Sequence, residues 1–508
     1  MGFIEGIDRQ QSILFPEVID EYITEDNTVR FIDAYVDSLN IGKLGFIHAQ
    51  PKETGRPPYN PGDLLKLYIY GYLNRIRSSR ELEKATYRNV EVMWLLRKLR
   101  PDFKTIADFR KENPEALRKV FREFTLLCKR LDLFGGELVA IDGSKFSAVN
   151  HNRRAYTKDG LRRKLKEVED RINTYLSRLD DADKKEAVLL KTTKKELQEY
   201  IQNLQKYKAN LEKIDNKLEE SGERQVSLTD PDSRKMQTGN GGTDVCYNVQ
   251  MVVDDKHKLI LDVDVTNDNN DRKQLYRMSK RAKEILDVEE LDVVADMGYH
   301  NKQEIKKCQD ERINCYIPEP AKSENEHIGY YAINEFQYDA QEDCYICPAK
   351  EKLTYRGTRF KDNLESREYA SVACKKCHLR SRCVRSSYDR RIYRWVGEES
   401  IEEMRVRMHI NPDKADRRKE LVEHPFGTIK HWMNQGTFLM RGKLKVAGEI
   451  CLSVLAYNIK RVLNLMGITK LIEALKMKKD NTAHLVFWYY SFCNTKMIPR
   501  MYEYIFCN

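Results

Sequence analysis

Residues 247–266 read YNVQMVVDDKHKLILDVDVT. Two β-rich runs flank a polar DDKHK, the pattern of an antiparallel hairpin with its turn. Upstream, GELVAIDGSKF (136–146) is an apolar run ending in Asp142. Downstream, RKQLYRMSKRAKEIL (272–286) has helical spacing, LDVVADMGY (291–299) is a buried-type strand ending in Asp296, and INCYIPE (313–319) is a short last strand. Strand, hairpin, helix, strand, helix, strand describes a mixed α/β sheet.

Around this core the texture differs. Residues 1–130 have apolar positions at three- and four-residue spacing, with helix starts expected at Pro61, Ser79 and Thr105. Short helices joined by short turns suit a DNA-binding unit, in which Arg75, Arg77, Arg80 and Arg88 would meet phosphates; a plain helical bundle with a solvated basic face fits the same residues. Within 161–222, Leu165, Val168, Ile172, Tyr175 and Leu179, then Leu197, Ile201, Leu204, Tyr207, Leu211, Ile214 and Leu218, predict an antiparallel helical hairpin inserted into the sheet order. The helical VAGEICLSVLAYNIKRVLNLMG after 434 is expected to pack on the sheet.

The 508 residues suggest roughly two to four structural units. Charged residues at 33% against 41% hydrophobic fit a soluble chain, and the longest apolar run, LVFWYYSF at 485–492, is too short to span a bilayer. The opening residues lack the pattern of a secretory signal, so a cytoplasmic location is expected. A net charge of +10 favours a polyanionic partner. Twelve cysteines in such a chain argue against disulfides, and five fall between 344 and 383 as CYICP and CKKCHLRSRC. That clustering has zinc-ribbon spacing, which would give a closed structural site. From 375 to 395, eight cations including Arg380, Arg382, Arg385, Arg390 and Arg391 face the single acid Asp389, a composition suited to gripping DNA backbone.

Asp142 and Asp296 each close an apolar run, and in an open α/β sheet functional groups gather at the carboxyl ends of strands. The residues alone leave open whether either begins a turn, and Asp264, Asp268 and Asp292 are competing carboxylates. A third acid, Glu423, lies in the basic stretch KADRRKELVEHPFGTIKHW (414–432). Oxygen ligands with cations beside them suit Mg²⁺ or Mn²⁺ and phosphoryl transfer. Pro425 predicts a kink or restart of the helix at 423–425.

AIDGSKF, ADMGYHN and VEHPFGTIKHW, in that order, resemble the three signatures of DDE transposases of bacterial insertion sequences. The stretch ILFPEVIDEYITEDNTVRFIDAYVDSL, with GRPPYNPGDLLKLYIYGYLNRIRSSRELEKA, resembles their helical N-terminal domain, in a subgroup with a Cys-rich insert before the Glu.

The resemblance implies a ribonuclease-H-like sheet. It implies a helical DNA-binding and dimerisation domain over 1–130 and a catalytic domain from 136–160, 225–320 and 398–470. The helical hairpin would occupy 161–222, a basic zinc-binding insertion 336–397 and a tail 471–508. It makes Asp142, Asp296 and Glu423 the catalytic ligands of two Mg²⁺ or Mn²⁺ ions, and Lys430, seven residues after Glu423, a DNA contact with Arg418 and Lys419 nearby. Where the motif carries Tyr and Arg before the Glu, this chain has Asp416 and Lys419, with Arg418 displaced by one. The subgroup's single Cys before Pro selects Cys347, Cys374, Cys377 and Cys383 for Zn²⁺, with Cys344 spare and His378 an alternative. The implied activity is cleavage of double-stranded DNA at terminal inverted repeats and strand transfer into target DNA, by a homodimer on DNA and without a membrane. A DNA-binding descendant without catalysis is the alternative.

Overall fold

A computed structural model describes residues 18–50, 57–150, 154–184, 191–239, 241–320, 330–361, 364–384 and 388–476. The chain divides at 125/126 and at 426/427 into two units. The N-terminal helices are α1 (Thr28–Asp37), α2 (Ile41–Leu44), α3 (Pro61–Leu73), α4 (Ser79–Arg88), α5 (Val90–Leu95), α6 (Phe103–Glu112) and α7 (Pro114–Arg130). Pro61 and Ser79 begin helices as expected. The next helix starts two residues before Thr105, because the Asp102 carboxylate accepts from the Lys104 and Thr105 N–H groups and caps it. α3 is apolar on nearly every side and almost wholly buried, so it is the axis of this unit rather than a surface helix.

The second unit holds the sheet. Its elements run β1 (Leu138–Ser147), β2 (Ala155–Thr157), α8 (Lys158–Lys184), α9 (Lys191–Ser221), β3 (Gln225–Ser227), β4 (Arg234–Gln237), β5 (Thr243–Asp254), β6 (Ile260–Thr266), α10 (Leu275–Leu286), β7 (Leu291–Val294), α11 (Lys302–Asp310) and β8 (Ile313–Tyr316). The 247–266 hairpin is present as β5 and β6. The order is β6-β5-β1-β7-β8, with short β4 beside the start of β5. β5 runs antiparallel to β1 and β6, while β7 and β8 run parallel to β1. α8 and α9 form the expected hairpin, with Leu161, Val168, Ile172, Leu204, Leu211 and Ile214 in their shared core.

The Cys-rich segment is more than a pair of knuckles. It contains β9 (Gln337–Asp339), β10 (Cys344–Ile346), β11 (Lys352–Lys361), β12 (Leu364–Ala370), the short α12 (Arg380–Cys383) and β13 (Arg391–Trp395). Its strands make a five-stranded antiparallel sheet over Phe336, Tyr345, Leu353, Tyr369 and Ile392. KLTYRGTRFK carries a strand signal in Thr354, Tyr355, Thr358 and Phe360, whereas LESREYA has Tyr369 alone and becomes a strand through its pairing with β11. α13 (Glu398–Ile410) and α14 (Pro412–Gly427) follow, then a π-helical turn at Thr428–Trp432 and α15 (Lys443–Met466).

Two expectations are corrected here. α14 does not restart at 423–425: it runs through Pro425 to Gly427, and a π turn follows, in which the Met433 N–H bonds the Thr428 carbonyl at 2.8 Å. α15 packs against α3 and α6 instead of the sheet. Gly448 permits this, since a Cβ there would come 2.7 Å from Pro114 Cα. Arg77, expected to meet phosphate, is instead committed inside this unit: it donates to the carbonyls of Asn434 and Thr437 and pairs with buried Glu449 at 2.9 Å. Among the described residues no helix is long and apolar enough to cross a membrane.

Candidate active site

The parallel pairing of β1 with β7 aligns Leu138, Val139 and Ala140 with Asp292, Val293 and Val294, and β7 ends there. Asp142 lies on β1 two residues beyond the last pair, and Asp296 lies two residues past the end of β7, near enough to act electrostatically on the Asp142 carboxyl. The expected Asp pair is therefore juxtaposed, although Asp142 does not end its strand. β1 continues to Ser147 because β5 pairs with it through Ser147↔Cys246. Beyond Ala140, β1 has lost its neighbour on the β7 side, and the crevice opens where the two carboxylates sit. Asp296 caps the turn at Met297–Tyr299 by accepting from the Gly298 N–H at 2.8 Å.

Burial pushes the Asp142 carboxyl up to about 6; Arg418 opposes the rise, and Asp296 and Asp271 add to it. Arg418 Nη1 lies 3.5 Å from Asp142 Oδ2. This residue of α14, expected to contact DNA, is thus engaged with the first acid. α14 is held to its own unit by further pairs, Lys414 with Asp292, Arg417 with Asp255 and Glu420 with Lys258, and it buries Leu421, Val422, Pro425 and Phe426. Glu423 is on the exposed side with Lys419 one turn earlier. At 100° per residue it stands about 140° around the helix from Arg418, so α14 presents Arg418 and not Glu423 to Asp142. Lys430 is half-buried in the π turn, within the other unit.

A polar network lies against Gly143. Asp271 Oδ1 accepts from Asn248 Nδ2 and Gln250 Nε2, each at 2.7 Å, and Gln250 Oε1 accepts from the Tyr299 hydroxyl. Asn248, Gln250 and Tyr299 are fully buried, so these bonds offset a large desolvation cost. A Cβ on Gly143 would come within 2.4 Å of Gln250 Nε2 and 2.6 Å of Asp271 Oδ1, which reserves this position for glycine. Lys145 Nζ lies 3.9 Å from Asp271 Oδ1; burial lowers its pKa, while Asp271, Cys246, Asp142 and Asp296 oppose that. Asp271, Asn248, Gln250, Tyr299 and Lys145 were not singled out from sequence. The alternation of Asn248 and Gln250 within an apolar strand was the available signal, since two amides on one face of a buried strand need partners.

In the Cys-rich module, Cys347, Cys374, Cys377 and Cys383 line one cavity of about 20 Å³, room for a single small occupant. Burial pushes the Cys383 thiol up, Arg390 opposes, and Cys374, Cys347 and Cys377 add to the rise. Four thiols facing one space are the donor set of a closed tetrahedral metal site. Cys344 is elsewhere, buried in β10 beside Asp339 and Glu342. Among the described residues, those three form the group of metal-ligating side chains whose atoms lie within 4.8 Å of one another; neither the three predicted acids nor the four cysteines close so tightly.

Several arginines expected on DNA brace this module. Arg380 donates to the Cys374 carbonyl at 2.9 Å and pairs with Asp389, Arg390 donates to the carbonyls of Cys383 and Tyr331, and Arg391 pairs with Glu368. Arg382, over the Tyr331 ring, is exposed together with Lys375, Lys376 and Arg391. Arg385 lies outside the described residues.

Two family models match the chain. One described as Transposase domain (DUF772) covers residues 17–112, and one described as Transposase DDE domain covers 346–463. The second includes the four cysteines, Glu423 and Lys430; neither reaches Asp142 or Asp296. No curated protein matches. Among solved structures, a piggyBac transposase synaptic complex with hairpin DNA aligns over 89% of this chain and 76% of its own, at 9% identity and a TM-score of 0.27.

Proposed function

We propose that this chain, a DDE-type transposase of the insertion-sequence kind, cuts and joins DNA in the crevice beyond β1 and β7, with Asp142, Asp296 and Glu423 as its working carboxylates. One observation carries the reading: Asp142 and Asp296 each follow the last pair of the parallel β1–β7 ladder by two residues, and Asp296 is an electrostatic neighbour of Asp142. The order β6-β5-β1-β7-β8, with one antiparallel hairpin and two parallel strands, supports a ribonuclease-H-like catalytic domain.

The enzyme is metal-dependent and acts on DNA. Bound at these carboxylates, two Mg²⁺ or Mn²⁺ ions would activate the attacking oxygen and stabilise the leaving one. Asp142, Asp296 and Glu423 would hold these ions. Glu423 joins this set on the VEHPFGTIKHW resemblance, since α14 as it stands turns Arg418 toward Asp142 and leaves Glu423 exposed. The reaction is in-line displacement at a phosphodiester: water attacks at the end of the element, and the 3′-hydroxyl so released attacks target DNA. The substrates are the terminal inverted repeats and a target duplex, in the cytoplasm, with two copies of the chain pairing two ends.

Cys347, Cys374, Cys377 and Cys383 would hold a structural Zn²⁺ in the 336–397 insertion. Lys375, Lys376, Arg382 and Arg391, exposed there, would meet DNA backbone, as would Lys419 and Lys430. The 1–130 helices, with exposed Arg80 and Arg88, would bind the element's ends.

Purified full-length protein with Mg²⁺ or Mn²⁺ is expected to cut duplexes carrying the inverted repeats that flank its gene. Glu423→Gln should bind the same duplexes within about threefold yet cut them roughly 100-fold or more slowly. Undiminished cutting would remove Glu423 from the site. Elemental analysis should find zinc bound to the wild-type chain, lost from Cys377→Ser and kept in Cys344→Ser; the opposite result for the two variants would reverse the choice of ligands.

A further inference from the structure

Lys145 is three residues beyond Asp142, so it leaves the opposite face of β1, the face it shares with Gly143, Asn248 and Gln250 through the register Gly143↔Gln250 and Lys145↔Asn248. Its side chain is 17% exposed with the ammonium nitrogen itself buried, 3.9 Å from Asp271 Oδ1 and within electrostatic reach of Asp142 and Asp296. The carboxylate beside it is not free to wander. Two buried amides grip Asp271 Oδ1, one of those amides takes the Tyr299 hydroxyl, and Tyr299 closes the turn that Asp296 caps. One continuous set of hydrogen bonds therefore fixes Asp271, the lysine's ion-pair partner, relative to the turn that carries the second acid.

A cation held this way stands on the other side of β1 from Arg418. In phosphoryl transfer, negative charge grows on the non-bridging oxygens of the phosphate. A preorganised donor in a site largely closed to water is worth far more than one in solvent. From these observations we infer that Lys145 is a substrate-contacting residue, whose ammonium binds a non-bridging oxygen of the scissile phosphodiester, and that Asp271 is its positioning residue. The inference rests on placing the reaction at Asp142 and Asp296.

The test is single-turnover cutting by the full chain, preassembled with a saturating inverted-repeat duplex in Mn²⁺, beside a gel-shift measurement of duplex binding. Lys145→Met should bind within about threefold of wild type and cut roughly 100-fold more slowly; Lys145→Arg should recover to within about tenfold. A phosphorothioate at the scissile phosphate should slow wild type more than Lys145→Met, because the contact it weakens is already missing there. Asp271→Asn should lose roughly tenfold in rate with no change in the Mn²⁺ needed for half-maximal cutting.

Lys145→Met at the wild-type rate, or Lys145→Arg no better than Met, would overturn the role of the lysine. Restoration of Asp271→Asn by added Mn²⁺ would make Asp271 a metal ligand and end its positioning role. If Lys145→Met fails to fold, Lys145→Gln, which keeps length and a polar end, replaces it with the same expectations. Wild-type cutting by Asp142→Ala would sink the site itself, whereas an inactive Asp142→Ala beside a fully active Lys145→Met sinks the lysine alone.

Discussion

Asp142→Asn is expected to lose DNA cutting by roughly 1,000-fold or more and, in metal-free protein above pH 6, to be more stable than wild type. The second effect follows from the first residue's burial. Asp142 keeps its proton up to about pH 6 in the folded chain, against an ordinary value of 3.8. Between those values the folded state binds more protons, so stability falls as pH rises and the deficit is complete above about 6. Its size is on the order of 2–3 kcal/mol, a net figure in which the opposing effect of Arg418 already counts. An amide carries no such deficit. Urea melts in a chelator should therefore separate the two proteins at pH 8 and bring them together near pH 4. A variant equally destabilised at both would refute the assignment of the cost to a buried charge.

Glu449→Ala should have the largest effect on folding. The carboxylate is 1% exposed, pairs with Arg77 and accepts from the Leu439 and Met440 N–H groups at 2.9–3.1 Å. Its removal leaves a guanidinium of 12% exposure and two backbone donors without their partner. Breaking such a pair costs about 3–5 kcal/mol, which for a unit of this size lowers the melting temperature by about 10 °C. Glu449→Gln keeps the shape and the acceptor but not the charge, so it should lie between. A loss below about 1 kcal/mol, read from the first melting transition, would show that the pair is replaceable.

The features legible in the sequence are those carried by local pattern. The hairpin at 247–266 follows from alternation around DDKHK, the helical hairpin from three- and four-residue spacing, and the four cysteines from motif spacing read with the transposase resemblance. Asp142 was misplaced at a strand end because an apolar run reports burial, whereas the length of β1 is set by pairing with β5 more than a hundred residues away. The resemblance sets Arg418 beside a DNA-contacting lysine, and local pattern cannot show that its partner in the fold is an acid 276 positions earlier. Asp271 escaped notice for the same reason, since Asn248 and Gln250 become its holders only after β5 lies beside β1. The destination of α15 was invisible because its apolar surface would suit a sheet or a helix equally well.

The clasp of β2 and β3 bears on how this chain tolerates change. Ala155 pairs with Ser227 and Thr157 with Gln225, so the chain departs into α8 and returns from α9 on adjacent strands, about 5 Å apart. The two helices have their own apolar interior. A segment that begins and ends at one place adds no loop for the sheet to close, so its length is decoupled from the folding of β1 and β5. The arm can be lengthened, shortened or exchanged for another compact piece while Asp142 and Gly143 keep their neighbours, which makes it a part of the molecule whose reach can vary without disturbing the crevice.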